Sequence, residues 1–340
     1  MKEIETIHAE GHVLCHDITR IVRGQTKGVA FPKGHVVRQE DIPALLALGK
    51  EHLFVWEKQP GMLHENEAAD ILYRITAGEN MQPSDVKEGK IEAIADCDGF
   101  LQVDVETLRN INALGEMMIA TRHTNLPVQR GDKLAGTRII PLLIEEEKMQ
   151  RAEAIVSRPL LTLLPYQRKK AAIVTTGSEV YNGLIEDTFT PVLRDKLAAF
   201  DAELIGHIIL GDDPAAVTQA ILDFVQQGAD IVLCSGGMSV DPDDKTPLAI
   251  KNTGAEIVSY GAPVLPGAMF MLAYMDSGTA IMGLPGCVMY ARRTIFDLIL
   301  PRVMADLRVS SDDLAALGHG GLCLNCEPCT FPHCGFGTGV

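Results

Sequence analysis

The sequence predicts an α/β protein made of three successive parts. Short strand-like runs separated by turns fill residues 1–164, which indicates one or two small, mostly-β domains. Strand-like and helix-like runs alternate through residues 165–308, which predicts a three-layer domain around a largely parallel sheet. Residues 309–340 contain four of the eight cysteines and are expected to form a separate, cysteine-rich tail.

The first part reads mainly as strands and turns. Its strand-like runs are GHVLCHDIT, KIEAIAD, FLQVDV, MMIATRH and RIIPLLI. A short helix is expected over residues 40–48, because Pro43 suits a first helical turn and Gly49 suits the residue after a helix. A charged helical connector is expected over residues 145–153.

The second part alternates regularly between strands and helices. Three of its strands are the runs KKAAIVTT, AELIGHIIL and ADIVLCS, each ending near a glycine. Helices are expected over residues 187–200, 213–227 and 287–307, and a fourth strand is expected over residues 279–284. In the second helix Asp213 is the expected N-cap and Gly228 the stop. This order is typical of βαβ units, whose strands are parallel.

Three glycine-containing loops follow predicted strands in this part. They comprise Thr176, Gly177, Ser178 and Glu179; then Ser235, Gly236, Gly237 and Ser239; and finally Gly283, Leu284, Pro285 and Gly286. Ligands of open parallel sheets bind outside the carboxyl ends of the strands, and glycine lets the backbone approach them closely. A glycine after a strand is usually only a turn, so it is the three loops together that favour a ligand site.

An acidic segment, residues 241–246, follows the second loop directly. One interpretation is a solvated turn with a helix cap. The other is a set of oxygen ligands for Mg²⁺, which accompanies phosphate groups and takes one or two carboxylates. The sequence leaves both interpretations open.

The order of motifs across residues 169–303 resembles one known family. The motifs are TTGSE, IEDT, GDD, SGGMS, PDD, VLPG and GLPG. This order resembles the molybdopterin-binding domain of molybdenum cofactor biosynthesis proteins. Within that family it is most similar to the bacterial molybdopterin molybdenumtransferases, which insert molybdate into adenylated molybdopterin. The runs GHVLCHDIT and FPKGHVVRQEDIPALLALGKEHLFVW resemble the family's opening strand and its small β-domain.

The resemblance implies roles for individual residues. Those matching the pterin-nucleotide site are Thr176, Gly177, Ser178, Glu179, Asp187, Ser235, Gly236, Gly237, Ser239, Pro266, Gly267, Gly283, Leu284, Pro285 and Gly286. Asp244 aligns with the family's catalytic, Mg²⁺-associated aspartate.

Some positions depart from the family pattern. Phe189 and Cys287 stand where the family has asparagine, and Leu265 and Ala268 stand where it has lysine. Two arginines early in the last predicted helix are either replacements for the lost lysines or ordinary surface charges.

The resemblance therefore implies two alternative roles. In the first, the chain is a transferase that moves molybdate to adenylyl-molybdopterin, with Mg²⁺ held by Asp244. In the second, it is a non-catalytic carrier that delivers molybdopterin to an apo-molybdoenzyme. The sequence leaves open whether the chain forms a homo-oligomer.

The tail has a spacing typical of a metal site. Cys323, Cys326, Cys329 and Cys334 lie within a short segment that also contains prolines and glycines. Four thiolates suit Zn²⁺, and similar spacings hold iron–sulfur clusters. The alternative is an unstructured tail with free thiols.

Net charge and hydropathy argue against nucleic acid and membranes as partners. The chain has 30 Lys and Arg against 45 Asp and Glu, a net charge of −15, which argues against nucleic-acid binding. No apolar stretch is long enough to span a bilayer, so no membrane partner is expected. The N-terminus lacks the pattern of a secretory signal, and a cytoplasmic location is therefore expected.

Overall fold

The computed structural model describes residues 2–22, 26–55, 60–239, 241–242 and 244–339. Asp243 of the acidic segment and Trp56 at the end of the run HLFVW lie outside these residues. The strands are β1 Lys2–Glu5, β2 Ile18–Val22, β3 Thr26–Phe31, β4 His52–Val55, β5 Met62–His64, β6 Met81–Pro83, β7 Lys90–Ala95, β8 Gly99–Val103, β9 Met117–Thr121, β10 Leu126–Val128, β11 Lys133–Ile139, β12 Leu143–Glu145, β13 Leu161–Pro165, β14 Lys170–Thr176, β15 Glu203–Leu210, β16 Ile231–Ser235, β17 Glu256–Tyr260, β18 Met271–Tyr274 and β19 Ala280–Leu284. The helices are α1 Ile42–Ala47, α2 Glu65–Thr76, α3 Val105–Asn112, α4 Glu146–Ile155, α5 Ser178–Tyr181, α6 Phe189–Ala198, α7 Pro214–Gln226, α8 Thr246–Asn252, α9 Ile295–Met304 and α10 Ser311–Ala316. Short 3-10 helices cover Thr6–His8, Gln39–Asp41 and Gly286–Met289.

The chain begins with a small unit that has its own core. Strand β1 pairs antiparallel with β4, and β2 pairs antiparallel with β3. Pro43 lies in the first turn of α1, and Gly49, with φ of 74°, follows its end, as the sequence predicts. The core residues are Ala9, Leu14, Ile18, Val37, Ile42, Leu45 and Leu53.

A second, mostly antiparallel unit follows over residues 62–165. It contains a four-stranded sheet in the order β6-β7-β11-β9 and a three-stranded sheet in the order β10-β8-β13. Helix α2 and helix α4 pack together over the four-stranded sheet through Leu72 and Met149, which are both fully buried. The predicted charged connector is therefore helical, and it belongs to this unit's core.

The third unit is the predicted parallel-sheet domain. Its six strands run in the order β15-β14-β16-β19-β18-β17, and the first four are parallel. Strands β18 and β17 add an antiparallel edge. Along β14, Ile173 faces a core that includes α9, whereas Val174 faces the opposite core with α7. Two cores on opposite faces of one sheet make three layers, which confirms the predicted fold class.

The prediction of a single long helix over residues 287–307 is wrong. The structure has the 3-10 helix Gly286–Met289, and α9 begins only at Ile295. Thr294 starts α9, because its hydroxyl accepts a hydrogen bond from the Phe296 N–H at 3.2 Å. The Asp297 carboxylate completes the cap by accepting from the Thr294 N–H at 2.8 Å.

The cysteine-rich tail is docked on the third unit. Phe336 is 4% exposed and lies in the same core as α9. Backbone bonds join Leu265 to Gly321 and Cys323, each at 2.8 Å. A Cβ on Gly337 would lie 2.3 Å from a methyl group of Leu298. The tail is therefore built into the domain. Within the described part of the chain, no helix has the length and apolar character needed to cross a membrane.

Candidate functional site

A cavity of about 500 Å³ opens where β16 and β19 end. It is lined by Gly236, Gly237, Met238, Ser239, Asp244, Ala268, Met269, Leu284, Pro285, Gly286, Cys287, Met289 and Tyr290. We call this cavity the cleft. The structure thus brings together the second glycine loop, the third glycine loop and the acidic residue that the sequence singles out. Their meeting follows from the pairing of β16 with β19, which are adjacent parallel strands.

The glycines of the second loop are required by its packing against the first. Gly236 has a φ of 88°, and a Cβ there would lie only 2.1 Å from the Thr176 carbonyl oxygen. Gly237 has a φ of 55°, and its Cβ would lie 2.9 Å from the Thr246 hydroxyl. Larger residues would therefore push the two loops apart and change the cleft wall.

Hydrogen bonds hold the second loop in place. The Thr176 and Thr246 hydroxyls lie 3.0 Å apart, and the Thr246 N–H donates to the Gly237 carbonyl at 3.2 Å. On the other side, the Tyr260 hydroxyl donates to the Met238 carbonyl at 3.0 Å. The loop is thus fixed without help from a ligand.

Asp244 is half-buried at the edge of the cleft. One of its carboxylate oxygens accepts from the Asp241 N–H at 3.3 Å. Burial, together with the charge of Asp244, raises the pKa of Tyr260. The Asp244 carboxylate, in the same lining as Ser239, offers hard oxygen donors, which fit Mg²⁺. Among the described residues no three His, Cys, Asp or Glu side chains form a metal cluster, so the remaining ligands here would be water and substrate oxygens.

The first glycine loop lies beside the cleft and does not line it. The Ser178 N–H and hydroxyl both donate to the same Asp212 carboxylate oxygen, at 2.9 and 2.7 Å. The Gly177 N–H donates to the Leu210 carbonyl at 3.2 Å. Glu179 and Thr176 also stand outside the lining. The donors expected to face a phosphate are therefore engaged within the protein.

Asp187 starts helix α6. Its carboxylate accepts from the Phe189 and Thr190 N–H groups at 3.0 and 3.1 Å, and from the Thr190 hydroxyl at 2.5 Å. His207 Nε2 lies 2.9 Å from that hydroxyl, and burial lowers the pKa of this histidine. The contacts of Asp187 are those of a helix cap.

The Ser235 hydroxyl is buried beneath the loops. It donates to the Thr175 hydroxyl at 3.3 Å, and Thr175 in turn lies 3.2 Å from His207 Nε2. Ser235 therefore belongs to a polar network inside the sheet, and it does not line the cleft.

Three further predicted residues have packing contacts. A Cβ on Gly267 would lie 2.5 Å from a methyl group of Ile295, and a Cβ on Gly283 would lie 2.6 Å from the Met238 sulfur. Pro266 borders a neighbouring cavity. These positions shape the walls behind the cleft.

The cleft carries little positive charge. Ala268 lines it at one of the two lysine positions of the family pattern, and Leu265 at the other is 56% exposed. Among the described lining residues, Asp244 is the only charged side chain. Arg293 pairs with Asp297 at 3.0 Å and Arg292 with Glu327 at 3.4 Å, and neither lines the cleft.

Three tail cysteines border a second cavity next to the cleft. Cys323, Cys326 and Cys329 line this space of about 330 Å³, together with Arg292 and Arg293. Tyr290 lines both cavities. Cys334 does not line this cavity, and it packs against the core, as Cys323 also does. The structure therefore places three of the four tail cysteines at one cavity.

The sequence did not point to several residues that line the cleft. Met269, Met289 and Tyr290 contribute apolar surface, and Cys287 lines the cleft although small buried cysteines usually serve only packing. The only signal was their position next to glycine loops, because thioether and aromatic side chains have no spacing that distinguishes a binding wall from a core.

Comparisons with known proteins identify two segments. Residues 172–305 match the model of a family described as "Probable molybdopterin binding domain". Residues 3–57 match a family described as "Domain of unknown function (DUF8806)".

Two curated relatives illustrate the extent of similarity. A CinA-like protein of Mycolicibacterium vanbaalenii is 41% identical over 78 residues, which are 23% of this chain and 18% of that protein. A CinA-like protein of Mycobacterium tuberculosis is 34% identical over 90 residues, 26% of this chain and 21% of that protein. The chain thus spans about a fifth of the length of these relatives.

Two solved structures match over about two fifths of the chain. The molybdopterin biosynthesis enzyme MoaB of Thermus thermophilus is 22% identical with a TM-score of 0.34, covering 39% of this chain and 91% of that one. The protein CinA of Thermoplasma acidophilum is 16% identical with a TM-score of 0.33, and the match covers 40% of this chain and 98% of that one. On the family match, residues 172–305 form a domain of the molybdopterin-binding family.

Proposed function

We propose that the chain binds molybdopterin or adenylyl-molybdopterin in the cleft. The family match of residues 172–305 carries this proposal, because the cleft lies at the carboxyl ends of two parallel strands of that domain. Its volume of about 500 Å³ suits a small-molecule site. Methionine and tyrosine side chains would contact the pterin ring, and backbone N–H groups of the second and third glycine loops would face the phosphate.

The charge of the cleft requires a cation for a phosphate-bearing ligand. Asp244 would repel the ligand's phosphate if both were bare. We propose that Asp244 holds Mg²⁺, which neutralises the phosphate oxygens when it is bound.

Two roles follow, and both would place the chain in the cytoplasm. The carrier role, delivery of molybdopterin to an apo-molybdoenzyme, is favoured by Ala268 and Leu265, which leave the cleft without the lysines that would attract molybdate. The transferase role, insertion of molybdate into adenylyl-molybdopterin, is favoured by Asp244, which lies at the cleft edge as a catalytic aspartate would.

The binding proposal is tested by calorimetric titration with molybdopterin and its adenylate. We expect a Kd of about micromolar or tighter. Ala268 is exposed and lines the cleft, so Ala268→Trp should fill the cleft, abolish binding and leave the core intact. Ala113→Trp, at an exposed position in the second unit, is the matched control. Equal affinity in wild type and Ala268→Trp would contradict the proposed site.

The cation is tested by repeating the titration with Mg²⁺ and with EDTA. We expect Mg²⁺ to tighten binding in wild type and to have no effect in Asp244→Asn, which removes the negative charge but keeps the shape. Asp241→Asn, at an exposed neighbour, should retain the Mg²⁺ effect. The same Mg²⁺ effect in Asp244→Asn would show that Asp244 only shapes the turn.

A further inference from the structure

A larger cavity lies away from the cleft, where the second unit, α9 and the tail meet. Its volume is about 560 Å³. Gln102, Asn125 and Arg158 come from the second unit, Arg302 from α9, and Asp313 from the tail. Three parts of the chain thus enclose one polar space.

Arg302 is the unusual residue of this cavity. It is 7% exposed, and its Nε has no hydrogen-bond partner among the described residues. Its guanidinium lies 5.4 Å from the centre of the Phe100 ring. The nearest carboxylate oxygen, on Asp313, is 4.0 Å from Nη1, which is too long for a hydrogen bond. A buried guanidinium normally has its donors satisfied, so the Nε of Arg302 lacks an acceptor.

The two carboxylates at the cavity are engaged elsewhere. Asp313 accepts from the Ser310 N–H and hydroxyl at 2.8 and 2.6 Å, which caps α10. Asp104 accepts from the Thr107 N–H and hydroxyl at 3.0 and 2.9 Å, which caps α3. The hydrogen bonds of these acids therefore go to helix ends, and Asp313 meets Arg302 only as an ion pair at 4.0 Å.

Arg158 provides a second cation in the lining of the same cavity. It is exposed, and its charge helps to lower the pKa of Asp104, after the larger effect of the Thr107 hydrogen bonds. The amides of Gln102 and Asn125 add neutral donors to the same lining. The planar donor fork of arginine matches the oxygens of phosphate and related oxyanions.

We propose that this cavity is a second ligand site, which binds a tetrahedral oxyanion group between Arg302 and Arg158. The group is either a free ion of the phosphate, sulfate or molybdate class or the phosphate of a small organic molecule, for which the cavity has room. The site does not depend on the function proposed for the cleft, since the two cavities share no lining residue.

The test uses the full chain with Ala268→Trp, which blocks the cleft, and three probes: inorganic phosphate, molybdate and adenosine monophosphate. We expect at least one probe to bind by calorimetry and to raise Tm. Preference for adenosine monophosphate over both ions would identify an organic ligand, and the reverse would identify a free ion; either supports the site.

Substitutions of the two arginines then show where the probe binds. Arg302→Met, which keeps an apolar stem in the buried position, should weaken binding by about tenfold or more, because a charge-assisted hydrogen bond is lost. Arg158→Met, at an exposed position, should weaken it as well and does not put the fold at risk. Arg292→Met, an exposed arginine outside the cavity, is the control and should bind as before. Binding unchanged in Arg158→Met and Arg302→Met, or no binding of any probe, would overturn the proposal.

Discussion

At the scale of single residues, the charges around the cleft decide which chemistry it supports. Ala268 and Leu265 provide no cation, while Asp244 provides an anion. Arg293 is paired with Asp297, and its guanidinium lies over the Phe331 ring, 4.9 Å from the ring centre. A pterin phosphate in this cleft would therefore depend on backbone N–H groups and on a bound cation.

His207 makes the stability of the third unit depend on pH. Burial lowers its pKa below the usual value of 6.5, although Asp187 opposes this. As pH falls through 6.5, the unfolded chain binds the proton first, so stability is present above that pH and is lost below it.

We expect His207→Gln to reduce the loss of the free energy of unfolding between about pH 7 and pH 5, since glutamine stays neutral. Urea denaturation at both pH values measures it. Some loss should remain, because burial also lowers the pKa of His16 and His64. The exposed His319→Gln is the control. An unchanged pH dependence in His207→Gln would contradict the assignment.

At the scale of elements, the four parallel strands of the third unit were predictable because buried parallel strands are continuous apolar runs. The antiparallel strands β17 and β18 and the start of α9 were not. Apolar residues continue from Cys287 through Met289, which extends the helical pattern, but the capping box at Thr294 sets the start. Of the predicted site, the structure brings the second and third glycine loops together at one cleft. The contacts of Ser178 with Asp212, residues 34 positions apart, could not be predicted because no sequence spacing encodes them.

The contact between the first and second loops is tested by a pair of glycine substitutions. Gly236→Ala should lower the free energy of unfolding by about 3 kcal/mol, since it adds a clash with Thr176 to the strain of positive φ. Gly228 has a similar φ of 85° with nothing within 4 Å, so Gly228→Ala should cost only about 1 kcal/mol. Chemical denaturation measures both, and equal losses would show that the loop contact is not tight.

The tail cysteines are expected to bind one metal centre, Zn²⁺ or an iron–sulfur cluster, after movement of the thiols. Elemental analysis after anaerobic purification measures the metal. Because Cys323, Cys326 and Cys329 share a cavity, their combined substitution by serine should abolish binding. Cys334→Ser should weaken it less, because Cys334 does not line that cavity. Equal metal content in wild type and the triple variant would refute the site.

At the scale of the whole molecule, the tail completes the third unit. Neither this docking nor the cavity around Arg302 could be predicted, because each depends on contacts between residues far apart in sequence. Phe331 and Phe336 stack edge to face, with ring centres 6.1 Å apart, against the core that contains α9. The tail is therefore part of the domain's stability.

We expect Phe336→Ala to lower the free energy of unfolding by about 3 kcal/mol, because it leaves a cavity in a core where the side chain is 4% exposed. Phe54→Ala, at a site that is 41% exposed, should have a smaller effect. Denaturation followed by circular dichroism measures both. Similar losses would mean that the tail only rests on the surface.

The place of Phe336 also sets an order for folding during synthesis. The cores of the first two units use only residues that precede the third, so both units can fold while translation continues. The core around α9 lacks one of its aromatic side chains until residue 336 has left the ribosome. The third unit therefore matures after the first two, and a nascent chain arrested before that point would display an incompletely covered α9 to the cell's chaperones.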